Sequence, residues 1–450
     1  MGKELIIQTM RHEQTARVPW VPFAGVHAGK LLGYTAEELL KEEEKLFLSL
    51  LEVHKLYTPD GMPVMFDLQI EAEILGCELM WARDNPPSVK THPLAGVEEI
   101  PDKIPTEDDG RLPMVLGTMR RLKAAIGDDT ALYGLVCGPF TLASHLRGSD
   151  IFMDMVMNPG YVRELVGYCA KVCMAVSQMY IHAGMDVIAV VDPLVSQISP
   201  KHFTKMLHDA FKTVFDGIRA QGVYSSFFVC GNATRQIDVM CKTGPDSISV
   251  DENVDLAGAK QITDGYHIAI GGNIPLTTTM LYGTQQDNMK YVLDILETVS
   301  HENLIIAPGC DMPYDVPIEN TVAAAQAVRN PESVAEMLKN YVAVEAADIP
   351  VEIPDYAHLN KVLVELFLLD PAQCAACTYM LAAVEDAYEE IRDVADYRVY
   401  KYTVREDIAR TRKMGITNLP SMCINGELTY VSIIPGREEL VAKVRSFAKS

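Results

Sequence analysis

Four of the ten cysteines stand where a thiol can do chemistry. Cys230 ends the apolar run YSSFFVC (224–230) and precedes the turn pair Gly231-Asn232. Cys310 follows the apolar run NLIIAPG (303–309) in the same way, and Cys374 and Cys377 form a CxxC in DPAQCAACTYM. A thiolate is both a nucleophile and a soft metal ligand. Thiolates that leave one coordination position open can hold zinc so that a substrate thiolate becomes a strong nucleophile. A CxxC at a helix start can cycle between dithiol and disulfide, with Cys374 as the attacking thiol and Cys377 as the resolving one. The other cysteines read as packing: Cys169 and Cys173 share a helical face, Cys77, Cys137 and Cys241 lie in apolar surroundings, and Cys423 reads as a strand-core residue.

These residues need elements to hold them. Through about residue 345, short apolar runs alternate with longer amphipathic stretches. The runs at 18–25, 61–66, 131–138, 185–191, 224–230, 246–251, 266–272 and 303–309 predict strands. Near-continuous apolar strands separated by helices predict a parallel sheet covered on both faces. Eight such repeats predict a closed (β/α)8 barrel of the TIM type, whose active site lies at the C-terminal strand ends. Reading those ends in order gives His27, Asp67, Pro139, Asp192, Cys230, Asp251, Asn273 and Cys310. Cys230 and Cys310 are therefore expected on one face of one barrel.

The stretch 346–357, rich in proline and without helical period, reads as a linker. From 358 to 450 the elements restart in the order β-α-β-α-β-β-α, with the CxxC at the first helix. This resembles a thioredoxin-like domain, and Leu419-Pro420 falls where that fold keeps a cis proline opposite the CxxC.

A formal net charge of −22 argues against a nucleic-acid partner, since phosphate binding needs a basic surface. No apolar run reaches the length of a membrane span, and MGKELIIQTMRHEQ has no signal-peptide pattern, so a cytoplasmic location is expected.

Residues 1–345 resemble the uroporphyrinogen decarboxylase superfamily, and most the corrinoid-dependent methylcobamide:coenzyme M methyltransferase branch. The resemblance is carried by FDLQIEAEILGCEL (66–79), GPFTLASHLRG (138–148), HAGMDVIAVVDP (182–193), FFVCGN (227–232), GGNIP (271–275) and IIAPGCDMPYDVPIENTVAAAQAVR (305–329). The decarboxylases grip porphyrin carboxylates with an Arg-Gln-Ala-Gly-Arg stretch; here it reads Val26-His27-Ala28-Gly29-Lys30, which removes the paired arginines. Their active-site Asp has a counterpart in Asp67, their Tyr becomes His145 and their late His becomes Cys310. The methyltransferases hold zinc with a His-x-Cys motif and a later Cys. Cys230 and Cys310 match the two cysteines, but the His position is Phe228, so the third ligand must come from elsewhere. His27 is the candidate taken here, with His145 and Asp192 also able to reach the mouth. No Asp-x-His-x-x-Gly corrinoid motif occurs, which implies that methylcobalamin arrives on a separate corrinoid protein.

The reading is a zinc-assisted, corrinoid-dependent methyltransferase, with Cys230, Cys310 and His27 as metal ligands. Asp67, His145 and Asp192 line the substrate site, Cys374 and Cys377 form a redox pair, and Pro420 is the cis proline. A small methyl donor or thiol acceptor is the substrate, the direction of transfer is open, and a homo-oligomer is compatible with the sequence. The alternatives are a thiol-disulfide oxidoreductase that uses the barrel as a platform, and a degenerate ligand-binding or scaffold protein; uroporphyrinogen decarboxylation is disfavoured.

Overall fold

The computed structural model describes residues 2–341, 349–369 and 375–448. The chain divides into two compact units, Met1–Ala343 and Val344–Ser450.

In the first unit the strands are β1 (Gly61–Met65), β2 (Ala131–Cys137), β3 (Val187–Val191), β4 (Tyr224–Val229), β5 (Ser247–Val250), β6 (Ala269–Ile274) and β7 (Leu304–Pro308). They pair in chain order as one seven-stranded sheet, parallel throughout. Nearly every strand residue is buried, as a parallel sheet covered on both faces requires. The covering helices show the expected periodicity. Helix α1 (His208–Ala220), after β3, buries Phe211, Val214, Phe215 and Ile218, an i, i+3, i+4, i+7 stripe. Helix α2 (Gln285–Thr298), after β6, starts on Thr284, whose hydroxyl accepts from the Asp287 amide while the Asp287 carboxylate accepts from the Thr284 amide.

The strand expected over 18–25 is reduced to one parallel bridge, Trp20 to Ile306. Pro19 and Pro22 lack the N–H groups a ladder needs, so the pairing stays short. That segment still touches both edges of the sheet. The Val21 amide donates to the Ile306 carbonyl and the Ile306 amide to Pro19, while the Trp20 carbonyl accepts from the Asp60 amide on the β1 side.

In the second unit β8 (Val362–Leu368) pairs parallel to β9 (Ala395–Lys401) and antiparallel to β10 (Ser421–Ile424), which pairs antiparallel to β11 (Glu427–Val431). Helices α3 (Ala375–Ile391), α4 (Arg405–Lys413) and α5 (Arg437–Phe447) follow β8, β9 and β11. The element order β-α-β-α-β-β-α makes a mixed four-stranded sheet. The Leu419–Pro420 peptide is cis. Residues read as linker contribute to this unit: Arg410 donates to the Glu352 carbonyl, Lys413 to Val351, and the Tyr356 hydroxyl to Glu365 at 2.6 Å.

Candidate functional site at the strand ends

Cys230 follows β4 and Cys310 lies two residues past β7, three strands away in the sheet. In a flat sheet that separation is about 14 Å at roughly 4.8 Å per strand. Their Cα atoms are 6.0 Å apart and the two sulfurs are joined as a disulfide. The sheet therefore curls far enough to bring its later strand ends together. Both cysteines are half-buried and pack on a cluster that includes Phe23, Phe66 and Phe228. Phe228 is fully buried, with its ring centroid 4.8 Å from Phe23 and 5.9 Å from Phe66.

Carboxyl groups lie at or beside the residues that adjoin the two cysteines. Asp251 accepts from the Gly231 amide, next to Cys230. A side chain at Gly309 would collide with the Glu252 carboxylate, which places that group one residue from Cys310. Asp311 accepts from the Gly25 amide at 2.8 Å. Burial pushes Glu252 and Asp311 up to about 8.

Asp192, at the end of β3, is fully buried and turned onto the helix that opens at Pro139. It accepts from the Phe140 amide at 2.8 Å, the Thr141 amide at 3.1 Å and the Thr141 hydroxyl at 2.6 Å. Gly138 permits this approach, since a Cβ there would collide with the carboxylate. Burial pushes Asp192 up to about 7 against those three donors. Its geometry is that of a group that fixes the PFTL helix.

Asp67, after β1, is buried with one oxygen on Arg111 Nη1 at 2.6 Å and the other on the Gln69 amide at 2.8 Å. Arg111 also donates from Nε to Glu73 at 2.7 Å, and its buried Nη2 has no partner among the described residues. Glu71 accepts from the Cys137 amide at 3.0 Å, and burial pushes it up to about 8. His145 is buried, its ring Nδ1 has no hydrogen-bond partner among the described residues, and burial lowers it to about 3.

His27 is fully buried, in the short helix His27–Lys30 rather than at a strand end. Both ring nitrogens are taken, Nδ1 by the Tyr314 carbonyl at 2.9 Å and Nε2 by the Tyr57 hydroxyl at 2.6 Å. Burial lowers its pKa to about 4. The structure thus brings Cys230 and Cys310 together and does not add His27 to them. Among the described residues no group of three or more His, Cys, Asp or Glu side chains is arranged to hold a metal ion. A zinc ion held by three protein ligands does not fit this donor set. The sulfurs are bonded to each other, a phenylalanine fills the histidine position, and His27 has no free nitrogen.

The comparisons with known proteins bear on this site. A family model described as uroporphyrinogen decarboxylase (URO-D) matches residues 1–331. The chain belongs to the uroporphyrinogen decarboxylase family. Within it, the chain is 27% identical over 338 residues to the methylcobamide:CoM methyltransferase MtbA of Methanosarcina acetivorans, covering 73% of this chain and 97% of that protein. MtbA of Methanosarcina mazei is 27% identical over 337 residues, with the same shares covered. A solved methyltransferase from Methanosarcina mazei matches with a TM-score of 0.66 at 23% identity, over 73% of this chain and 98% of that one, which shows a shared fold.

Several site residues carry little signal in the sequence. Arg111 precedes a helix in DDGRLP, away from any strand end, and only the fold brings it to Asp67. Glu71 lies inside FDLQIEAEILG, but nothing in that run marks it as buried. Glu252 and Asp311 adjoin strand-end residues already singled out, so adjacency was the available clue. Cys377 is buried and Cys423 lies in β10, where burial pushes its thiol up to about 12. Cys374 lies outside the described residues. Among the described residues no helix is long and apolar enough to cross a membrane.

Proposed function

We propose that this family member moves a methyl group between a cobalamin on a separate corrinoid protein and a small thiol in the cytoplasm. The supporting observation is the meeting of Cys230 and Cys310 at the strand ends, in a chain that aligns over 97% of a methylcobamide:CoM methyltransferase. When bound on its own protein, the corrinoid supplies or receives the methyl group at its metal. The chain's own residues orient the thiol partner. Arg111, held by Asp67 and Glu73, directs its unpartnered Nη2 as a donor for an anionic substrate group. Asp192 positions the PFTL helix that carries His145, and His145 and Asp67 line the substrate site. The Trp20 bridge supports closure of the sheet into a (β/α)8 barrel around these groups. A zinc ion on Cys230 and Cys310 would need the reduced pair and a donor other than His27.

The test uses reduced full-length protein with free methylcobalamin and 2-mercaptoethanesulfonate or another small thiol. Thiol-dependent loss of the methylcobalamin spectrum, with methylated thiol found by mass spectrometry, is the expected result. No methylated product in either direction sinks the reading.

A second reading is favoured by the C-terminal unit alone. Its β-α-β-α-β-β-α order and mixed four-stranded sheet support a thioredoxin-like domain whose Cys374 and Cys377 exchange with disulfides. Insulin reduction by the full chain, abolished in Cys374→Ser, would carry that reading; no reduction by the wild type would remove it.

A further inference from the structure

We propose that Cys230 and Cys310 form a redox-exchanging disulfide whose substrate is a small thiol or dithiol. The inference shares the Cys230–Cys310 pair with the methyl-transfer reading but does not use the likeness to methyltransferases, and either can fail alone.

The first observation is the bond itself, between cysteines 80 residues apart in sequence and on strands that are not neighbours. The second is access. Cys230 and Cys310 are half-buried at the end of the sheet where the strands finish, whereas the other described cysteines are all buried. Exchange requires a thiolate to approach one sulfur in line with the bond, and buried cysteines do not allow it.

The third observation is what the bond does not hold. Both cysteines lie beyond their strands, and the ladders from β4 through β5 and β6 to β7 run without interruption. Opening the disulfide breaks no backbone pair of the sheet. The fourth is what replaces a metal site. Phe228 completes an aromatic floor with Phe23 and Phe66 beneath the sulfurs, and His27 is committed to Tyr57 and Tyr314. With a phenyl ring at the expected histidine position and His27 committed to Tyr57 and Tyr314, no histidine accompanies the two sulfurs, and they meet each other instead.

The exchange balances without any group foreign to it. A thiolate attacks one sulfur of the pair, a mixed disulfide forms, and the other cysteine leaves and takes the proton that the attacking thiol gave up. A second thiol then attacks the mixed disulfide at the substrate sulfur and releases the remaining cysteine. Two thiols are oxidised to one disulfide, and the protein disulfide is reduced to two cysteine thiols. A dithiol performs both steps itself, and the reverse sequence reoxidises the pair.

The experiment uses full-length wild type, and in parallel a Cys374→Ser/Cys377→Ser variant that removes the other candidate pair. Each is purified in air without thiols, blocked with N-ethylmaleimide, digested and mapped by mass spectrometry. The expected result is a peptide linking Cys230 to Cys310 that disappears when native protein meets millimolar dithiothreitol. It should return with oxidised dithiothreitol. Circular dichroism should show the fold unchanged in both states. The proposal is overturned if both cysteines are singly alkylated before reduction. It is also overturned if the linked peptide survives dithiothreitol until the protein is unfolded, which would make the bond an inert staple. Methyl transfer is assayed separately on reduced protein. Its absence beside reversible exchange removes the methyltransferase reading and leaves this one standing.

Discussion

Phe228 lies 4.8 Å from Phe23, ring centroid to ring centroid, and closes an aromatic cluster under the Cys230–Cys310 disulfide. The position that resemblance to zinc methyltransferases reserves for a histidine is thus part of the apolar core. Replacing a buried phenyl ring with a smaller imidazole loses packing and buries a polar edge. Phe228→His should therefore cost on the order of 2–4 kcal/mol of stability. Urea denaturation of the reduced proteins measures it. A cost below about 0.5 kcal/mol, the range of ordinary surface changes, would show that the ring is not packed as described.

Arg111→Met leaves Asp67 buried without its countercharge. Breaking a buried pair from one side costs about 3–5 kcal/mol, whereas removing both charges costs far less. The double variant Asp67→Asn/Arg111→Met should therefore be more stable than Arg111→Met alone. Denaturation midpoints of the four proteins test the coupling, and additive effects would disprove it.

Glu71 gives the fold a pH dependence. Its carboxyl is raised to about 8 in the folded protein, chiefly by burial, against roughly 4.3 in an unfolded chain. The folded state holds the proton across that window. The contribution is complete below the unfolded value and is lost as pH rises through about 8. Glu71→Gln keeps the acceptor for the Cys137 amide and cannot ionise. The melting temperature of the wild type should fall relative to Glu71→Gln between neutral and mildly alkaline pH. A constant difference across that range would count against a buried neutral acid.

Gly138 is required by proximity. Its φ of −66° suits any residue, so the constraint comes from the Asp192 side chain, both its Cβ and its carboxylate. Gly138→Ala should lower stability by about 1–3 kcal/mol through overpacking and should loosen the PFTL helix. Thermal denaturation gives the cost, and faster amide exchange at Phe140 and Thr141 gives the location. Unchanged exchange at those amides would mean that Asp192 keeps its grip.

Most strands were legible because an apolar run bounded by turn residues has few other readings. The runs at 61–66, 131–138 and 303–309 match β1, β2 and β7 to within one or two residues. The run at 18–25 misled because its composition is apolar while Pro19 and Pro22 remove ladder donors. The strand-end rule also selected Cys230, Cys310, Asp192 and Asp67, since those positions follow from the order of runs. It could not give their partners. That Asp192 caps a helix, that His27 is locked between Tyr57 and Tyr314, and that Arg111 meets Asp67 are facts of long-range packing. Side-chain type limits such contacts without choosing among them.

The bridge between Trp20 and Ile306 has a consequence for synthesis on the ribosome. The first extended segment emerges early, yet its partner on β7 is translated some 286 residues later, the difference between those two positions. Until then one edge of the growing sheet carries unmet amides, and contacts this distant in sequence form slowly. At roughly 5–20 residues per second, the nascent chain spends on the order of tens of seconds with that edge open. Chaperone dependence, and aggregation of fragments truncated before β7, should follow from that interval.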